Sequence, residues 1–172
     1  MVPRIPVIET ERVSLCDLTL DDAPFILELV NEPSWLEHIG DRGVRSLEDA
    51  RSYIRNGPMA TLRRHGFCLR QVRRRMDDVP MGLCGLLQRD TLDSPDIGFA
   101  FSPAFWGHGY ARESAQATLD HARRVLGLPR VLAIVSPANA RSIRLLEDLG
   151  LHAESRMRLT ADADEIIRYA TP

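Results

Sequence analysis

The sequence predicts a single α+β domain, and three observations carry that prediction. Strand-like and helix-like apolar patterns follow one another along the chain with no linker or internal repeat. Two apolar runs, residues 67–73 and 81–88, flank the polar turn 74–78 as the strands of an antiparallel hairpin do. An apolar strand at Asp96–Phe101 is joined through an amphipathic stretch, about residues 109–126, to a second apolar strand at 130–135. A strand–helix–strand crossover of that kind makes its two strands parallel. The 172 residues suit one domain, long enough to bury roughly 70% of the unfolded chain's surface.

Taken in order, residues 12–18 alternate Val13 and Leu15 with polar neighbours, the pattern of a half-buried strand. Thr19 and Asp22 stand three apart as a capping-box pair ahead of the stripe Ala23, Ile26, Leu27 and Val30. They predict a helix that Asn31-Glu32-Pro33 ends. Residues 34–45 read as irregular. A second helix starts at Ser46, with Asp49 three residues on, and stops at Asn56-Gly57-Pro58. After the hairpin, Asp93-Ser94-Pro95 turns the chain into the strand Asp96–Phe101. The helix that follows carries Ala111, Ala115 and Ala122 beside Leu119, Val125 and Leu126, a face able to lie close on a sheet. Gly127-Leu128-Pro129 ends it. Residues 139–149 form another amphipathic helix with Ile143, Leu146 and Leu149 inward and Gly150 at its end. Strands at about 151–159 and 164–170 come last.

Composition removes several functions. Hydrophobic residues make up 44% and charged residues 27%, ordinary for a globular protein. A net charge of −2 supplies no global attraction for nucleic acid or an anionic membrane. No run of about 18 apolar residues is present to span a bilayer, and residues 1–6 lack the apolar stretch of a secretion signal. The expected location is cytoplasmic. Cys16, Cys68 and Cys84 are spaced for neither a zinc site nor a disulfide framework and read as buried thiols in strands, so no metal is expected. All 22 basic residues are arginine, whose fork suits phosphate wherever one lies near. Arg73-Arg74-Arg75 reads as a solvated hairpin tip.

The segment that carries chemistry runs from Phe101 through Trp106-Gly107-His108-Gly109-Tyr110-Ala111-Arg112 to Glu113, where a strand gives way to a helix. A helix's first turn has unpaired N–H groups and the positive end of the macrodipole. Gly107 and Gly109 lack the Cβ atoms that would keep an anion away, so the turn suits a pyrophosphate. It is not a Rossmann fingerprint, because Arg112 stands where the third glycine belongs. Nor is it a Walker loop, because the chain has no lysine.

Three segments together resemble the GNAT superfamily of acetyl-CoA-dependent N-acetyltransferases, in particular the RimJ/RimL-like branch that acetylates ribosomal-protein N-termini. They are Glu9-Thr10-Glu11-Arg12-Val13-Ser14-Leu15 with Thr19-Leu20-Asp21-Asp22-Ala23; Asp96-Ile97-Gly98-Phe99 leading into Trp106-Gly107-His108-Gly109-Tyr110-Ala111; and Asn139-Ala140-Arg141-Ser142-Ile143 through Gly150-Leu151. In the family's Gln/Arg-x-x-Gly-x-Gly/Ala loop, Trp106 takes the Gln/Arg place. The resemblance covers nearly the whole chain. It implies a mixed, mostly antiparallel sheet of six to seven strands, a central parallel pair splayed around acetyl-CoA, and helices on both faces.

The same resemblance implies roles for single residues. The backbone of Phe99, Ala100 and Phe101 would bond the pantetheine arm of the co-substrate, and the N–H groups of Gly107, His108, Gly109, Tyr110, Ala111 and Arg112 would hold its pyrophosphate. Asn139 would touch the pantetheine or adenosine arm, or cap its own helix. The implied reaction is direct attack of a primary amine on the thioester in a ternary complex, with no covalent enzyme intermediate. Ser142 matches the branch's thiolate-side acid, or else bonds its own helix. Leu146 stands where many relatives carry a tyrosine acid. Asp96 aligns with an acidic base position, the alternative being an exposed turn carboxylate. Trp35, Glu37 and His38 lie in the segment that often covers the acceptor site, with Tyr53 and Met59 either lining it or in the core. The expected acceptor is a protein N-terminal α-amine or a small-molecule amine, and the protein a monomer or homodimer. A non-catalytic module that binds CoA or acetyl-CoA to regulate a partner is the alternative.

Overall fold

The computed structural model describes residues 3–172. An eight-stranded sheet runs in the order β1-β2-β3-β4-β5-β6-β8-β7. Its strands are β1 (Ile8–Glu9), β2 (Val13–Cys16), β3 (Leu69–Arg74), β4 (Val79–Leu87), β5 (Asp96–Phe101), β6 (Leu132–Val135), β7 (His152–Met157) and β8 (Ile166–Ala170). Every neighbouring pair is antiparallel except β5 and β6. The α+β reading and the parallel crossover are therefore both present. The eighth strand is β1, a two-residue edge too short to leave a period in the sequence.

The helices are α1 (Ala23–Leu29), α2 (Pro33–His38), α3 (Leu47–Asn56), α4 (Pro58–His65), α5 (Tyr110–Arg124) and α6 (Ala140–Asp148). Two of them differ from the sequence reading. Pro33 and Pro58 look like stops, yet each occupies the first turn of a new helix, where a missing N–H costs nothing. Residues 33–38 are thus helical rather than irregular, and the chain resumes as α4 directly after α3. Gly66, at φ 79°, ends α4 in the left-handed conformation. The capping box is formed: Asp22 accepts from the Thr19 N–H at 2.8 Å. The same buried carboxylate also takes two bonds from Arg4, at 2.5 and 2.8 Å, which ties down the N-terminal arm.

Alternation along the strands divides the core into two faces. Ile97, Phe101, Leu86 and Cys84 pack beneath α5 and α6 with Ala115, Leu119, Ala122 and Leu146. Leu83, Leu69 and Ala100 face α1–α4 with Ile26, Leu29, Trp35, Ala50 and Ile54. At the hairpin tip all three arginines are neutralised: Arg73 by Asp78, Arg74 by Asp77 and Arg75 by Glu9. Among the described residues no helix is long and apolar enough to cross a membrane.

Candidate active site

The site begins where the sheet comes apart. β5 and β6 share a single register pair, Asp96 with Leu132, supported by the Leu132 N–H donating to the Pro95 carbonyl at 2.9 Å. Beyond it β6 follows β8 through Val135, while β5 stays with β4 through Phe101. The strands therefore splay. Ser102 N–H donates to Met81 O at 2.9 Å, which fixes the alternation of the β4–β5 ladder. Gly98 and Ala100 turn their backbone polar groups toward β4, so Ala100 offers the cleft only its position. Phe99 and Phe101 turn theirs toward the space that β6 has left. Partly buried Phe99, Phe105, Trp106, Tyr110, Ala111, Ile143 and Leu149 give this cleft an apolar wall.

The open edge leads, through a short turn at Pro103–Phe105, to the glycines. Trp106 donates its indole N–H to the Phe101 carbonyl at 2.8 Å, pinning the turn to the strand end. Gly107 and Gly109 sit at φ 79° and 82°, a region costly for other L-residues. None of the six backbone N–H groups from Gly107 to Arg112 has an acceptor among the described residues; the first helical bond runs from Glu113 N–H to Gly109 O. A Cβ on Gly107 would meet nothing within 4 Å, so this cradle is open.

A bracket holds the cradle from behind. Glu113 accepts from the Thr10 hydroxyl at 2.6 Å, the Arg12 N–H at 3.0 Å and Arg12 Nε at 2.7 Å. Arg12 donates as well to the His108 carbonyl at 2.9 Å and lies over the Tyr110 ring at 4.8 Å. Burial acts to raise the Glu113 pKa, but the bonds from Thr10 and Arg12 outweigh it and hold the carboxyl below its ordinary value. The sequence reading missed this bracket, because its members are 101 residues apart.

Across the cleft, Asn139 caps α6 by accepting from the Ser142 N–H at 3.2 Å. The Ser142 hydroxyl makes no bond to its own helix, in contrast to Ser114 and Thr118, which donate to the Tyr110 and Ser114 carbonyls at 2.7 and 2.9 Å. It has no protein partner among the described residues. Leu146 is buried in the core.

Asp96 stands at the closed end of the cleft and shares its face of the sheet with Ala100, toward α1–α4. It is only 1% exposed, so it is not a turn carboxylate at the surface. Arg89 donates to both of its oxygens, at 3.2 and 3.1 Å. Burial raises the Asp96 pKa, with the Arg89 charge and bonds opposing. On the same side, burial raises the Tyr53 phenol against the pull of Arg42 and Arg89. The Tyr53 hydroxyl has no protein partner among the described residues, and Met59 packs with it against that core.

The three residues expected at the acceptor side do not share one environment. Trp35 is 5% exposed within the α1–α3 core, its indole N–H without an acceptor. Glu37 is largely exposed, with His38 Nε2 3.7 Å from its carboxylate. All three cysteines are free and buried, and burial pushes the Cys68 and Cys84 thiols up to about 12. Among the described residues no group of side chains could hold a metal ion.

A family model described as an acetyltransferase (GNAT) domain matches residues 12–152. The chain belongs to the GNAT acetyltransferases. This acetyltransferase is 27% identical over 150 residues to an uncharacterized N-acetyltransferase, p20, of Bacillus licheniformis, covering 87% of this chain and 84% of that one. A crystal structure of an acetyltransferase from Agrobacterium tumefaciens superposes with a TM-score of 0.80 at 24% identity, covering 100% and 97% of the two chains. RimL, a ribosomal L7/L12 α-N-protein acetyltransferase solved with coenzyme A, superposes with a TM-score of 0.79 at 20% identity over 98% and 97%. The splayed sheet of this acetyltransferase is thus the fold of its family.

Proposed function

We propose that the protein transfers the acetyl group of acetyl-CoA to a primary amine by direct attack in a ternary complex. One observation carries this reading: the β5 edge that β6 leaves open, at Phe99 and the Phe101 N–H, leads through residues 102–106 to six N–H groups at Gly107–Arg112 that have no acceptor among the described residues. An extended amide-bearing arm ending in a pyrophosphate fits that sequence of donors and acceptors. The coenzyme A in the RimL structure supports the same choice.

What acetyl-CoA supplies is an activated acyl group on sulfur. The chain's residues do the rest. Free N–H groups on the β5 edge orient the arm and polarise the thioester oxygen. Asp96, its pKa raised by burial, takes the proton that the ammonium form of the acceptor must lose. The amine nitrogen then bonds to the acyl carbon as the carbon–sulfur bond breaks; the Ser142 hydroxyl donates a proton to the departing thiolate and is restored by the proton that the nitrogen sheds on becoming an amide. The acceptor is a protein N-terminal α-amine or a small-molecule amine.

The test pairs binding with turnover. Acetyl-CoA and CoA should raise the melting temperature while NAD and ATP leave it unchanged, and CoA thiol should appear when an amine and peptide library is added. Stabilisation by NAD or ATP alone overturns the cofactor, and silence across the library despite tight CoA binding overturns the transfer.

A further inference from the structure

We infer that Arg141 forms a second phosphate subsite, on the wall of the cleft opposite the glycine turn, and that it reads the 3′-phosphate of the co-substrate. The inference rests on the acetyl-CoA reading above. Arg141 occupies the first turn of α6, and its guanidinium carbon lies 4.3 Å from the centre of the Trp106 ring on the other wall. Trp106 is a fixed platform because its N–H is held by Phe101 O at 2.8 Å. The contact therefore bridges the mouth of the cleft with a planar cation whose height is set by a planar ring.

Stacking uses the face of a guanidinium and leaves its edge free. Arginine has five N–H donors in that edge, and none from Arg141 is engaged by a protein acceptor among the described residues. Most arginines of this chain behave otherwise: thirteen are paired with carboxylates. Arg141 is unpaired, as are Arg112 in the first turn of α5 and Arg144 one turn further along α6.

The Arg141 charge is additional to the donors that a pyrophosphate needs. The glycine turn already offers six free N–H groups for it, whereas CoA carries a third phosphoryl group, a monoester on the adenosine ribose with nearly two negative charges. A stacked arginine edge, open and unneutralised, matches that monoester in geometry and charge.

Titration calorimetry with CoA and dephospho-CoA on wild type, Arg141→Ala and Arg141→Lys tests the assignment. Wild type should prefer CoA, and Arg141→Ala should lose about ten- to a hundredfold in CoA affinity while dephospho-CoA binding stays within a factor of about two. Arg141→Lys should recover only part of the loss, since lysine keeps the charge without the planar fork. Emission from Trp106 should shift in Arg141→Ala before any ligand is added. An equal loss for both ligands overturns the 3′ assignment and assigns Arg141 to the pyrophosphate. No loss for either overturns the subsite. If wild type binds neither ligand, the acetyl-CoA reading itself fails, an outcome distinct from the other two. Arg141 is exposed, so unchanged melting temperatures will exclude unfolding as the cause.

Discussion

The two walls that meet at Asp96 are made of different material. On the donor side, from β5 through the glycine turn to α5, the groups that face the cleft are backbone N–H and C=O, held by a strand edge, two left-handed glycines and the Glu113–Arg12 bracket. On the α1–α4 side they are side chains: Asp96 locked to Arg89, and a Tyr53 hydroxyl with no partner among the described residues. Backbone presents the same donors whatever side chains surround it, which suits a ligand shared by a whole family. Side chains can be exchanged one at a time, which suits an acceptor that differs between members. The donor wall should therefore fail through geometry and the acceptor wall through chemistry.

The largest effect is expected where the walls join. Asp96→Asn should lower kcat/KM by roughly 10²- to 10⁴-fold and leave acetyl-CoA affinity nearly intact. The pH dependence has two opposite signs. The folded protein holds the Asp96 proton more tightly than the unfolded chain does, so this group favours the fold below the ordinary carboxylate value of 3.8. That contribution is lost as pH rises through the higher folded value. The same ionisation switches the base on. Wild-type kcat/KM should thus climb along an acid limb displaced above the ordinary carboxylate range, and Asp96→Asn should abolish that limb. A limb that survives the substitution assigns the base elsewhere.

Gly109→Val tests the donor wall by geometry alone. A β-branched residue at φ 82° is strained by about 1–3 kcal/mol, and its Cβ would lie 3.2 Å from Arg12 Nη2, disturbing the bracket. Acetyl-CoA should bind roughly ten- to a hundredfold more weakly, while the amine KM changes little once the co-substrate saturates. Calorimetry and steady-state kinetics read the two separately. Unchanged acetyl-CoA affinity would mean that the ligand does not use this turn.

The same division governs how much the sequence foretells. The glycine turn is legible because its requirement is local: Gly107 and Gly109 are needed by their own φ angles. The crossover is legible for a similar reason, since two apolar runs joined by one helix admit few topologies. Pro33 and Pro58 misled because a proline after a helix marks a stop and the first turn of the next helix equally well, and only packing chooses between them. The Arg12–Glu113 bracket and the Trp106–Arg141 stack have no local signature at all; tertiary folding alone brings their members together. Asp96 was legible as a carboxylate at a strand start but not as a buried one, because its burial comes from Arg89 and from helices distant in sequence.

Tyr53→Phe should give the smallest effect and the sharpest reading of the acceptor wall. The phenol packs into the α1–α4 core, yet its hydroxyl has no protein partner, so removing the oxygen breaks no bond of the fold. Stability should change by less than about 0.5 kcal/mol. A hydrogen bond to an acceptor is worth about 0.5–1.5 kcal/mol, so the amine KM should rise roughly two- to tenfold while the acetyl-CoA KM stays constant. The opposite outcome, a lower melting temperature with both KM values unmoved, would return Tyr53 to the core. It would also leave Asp96, with Arg89 beside it, as the side chain that meets the amine at the closed end of the cleft.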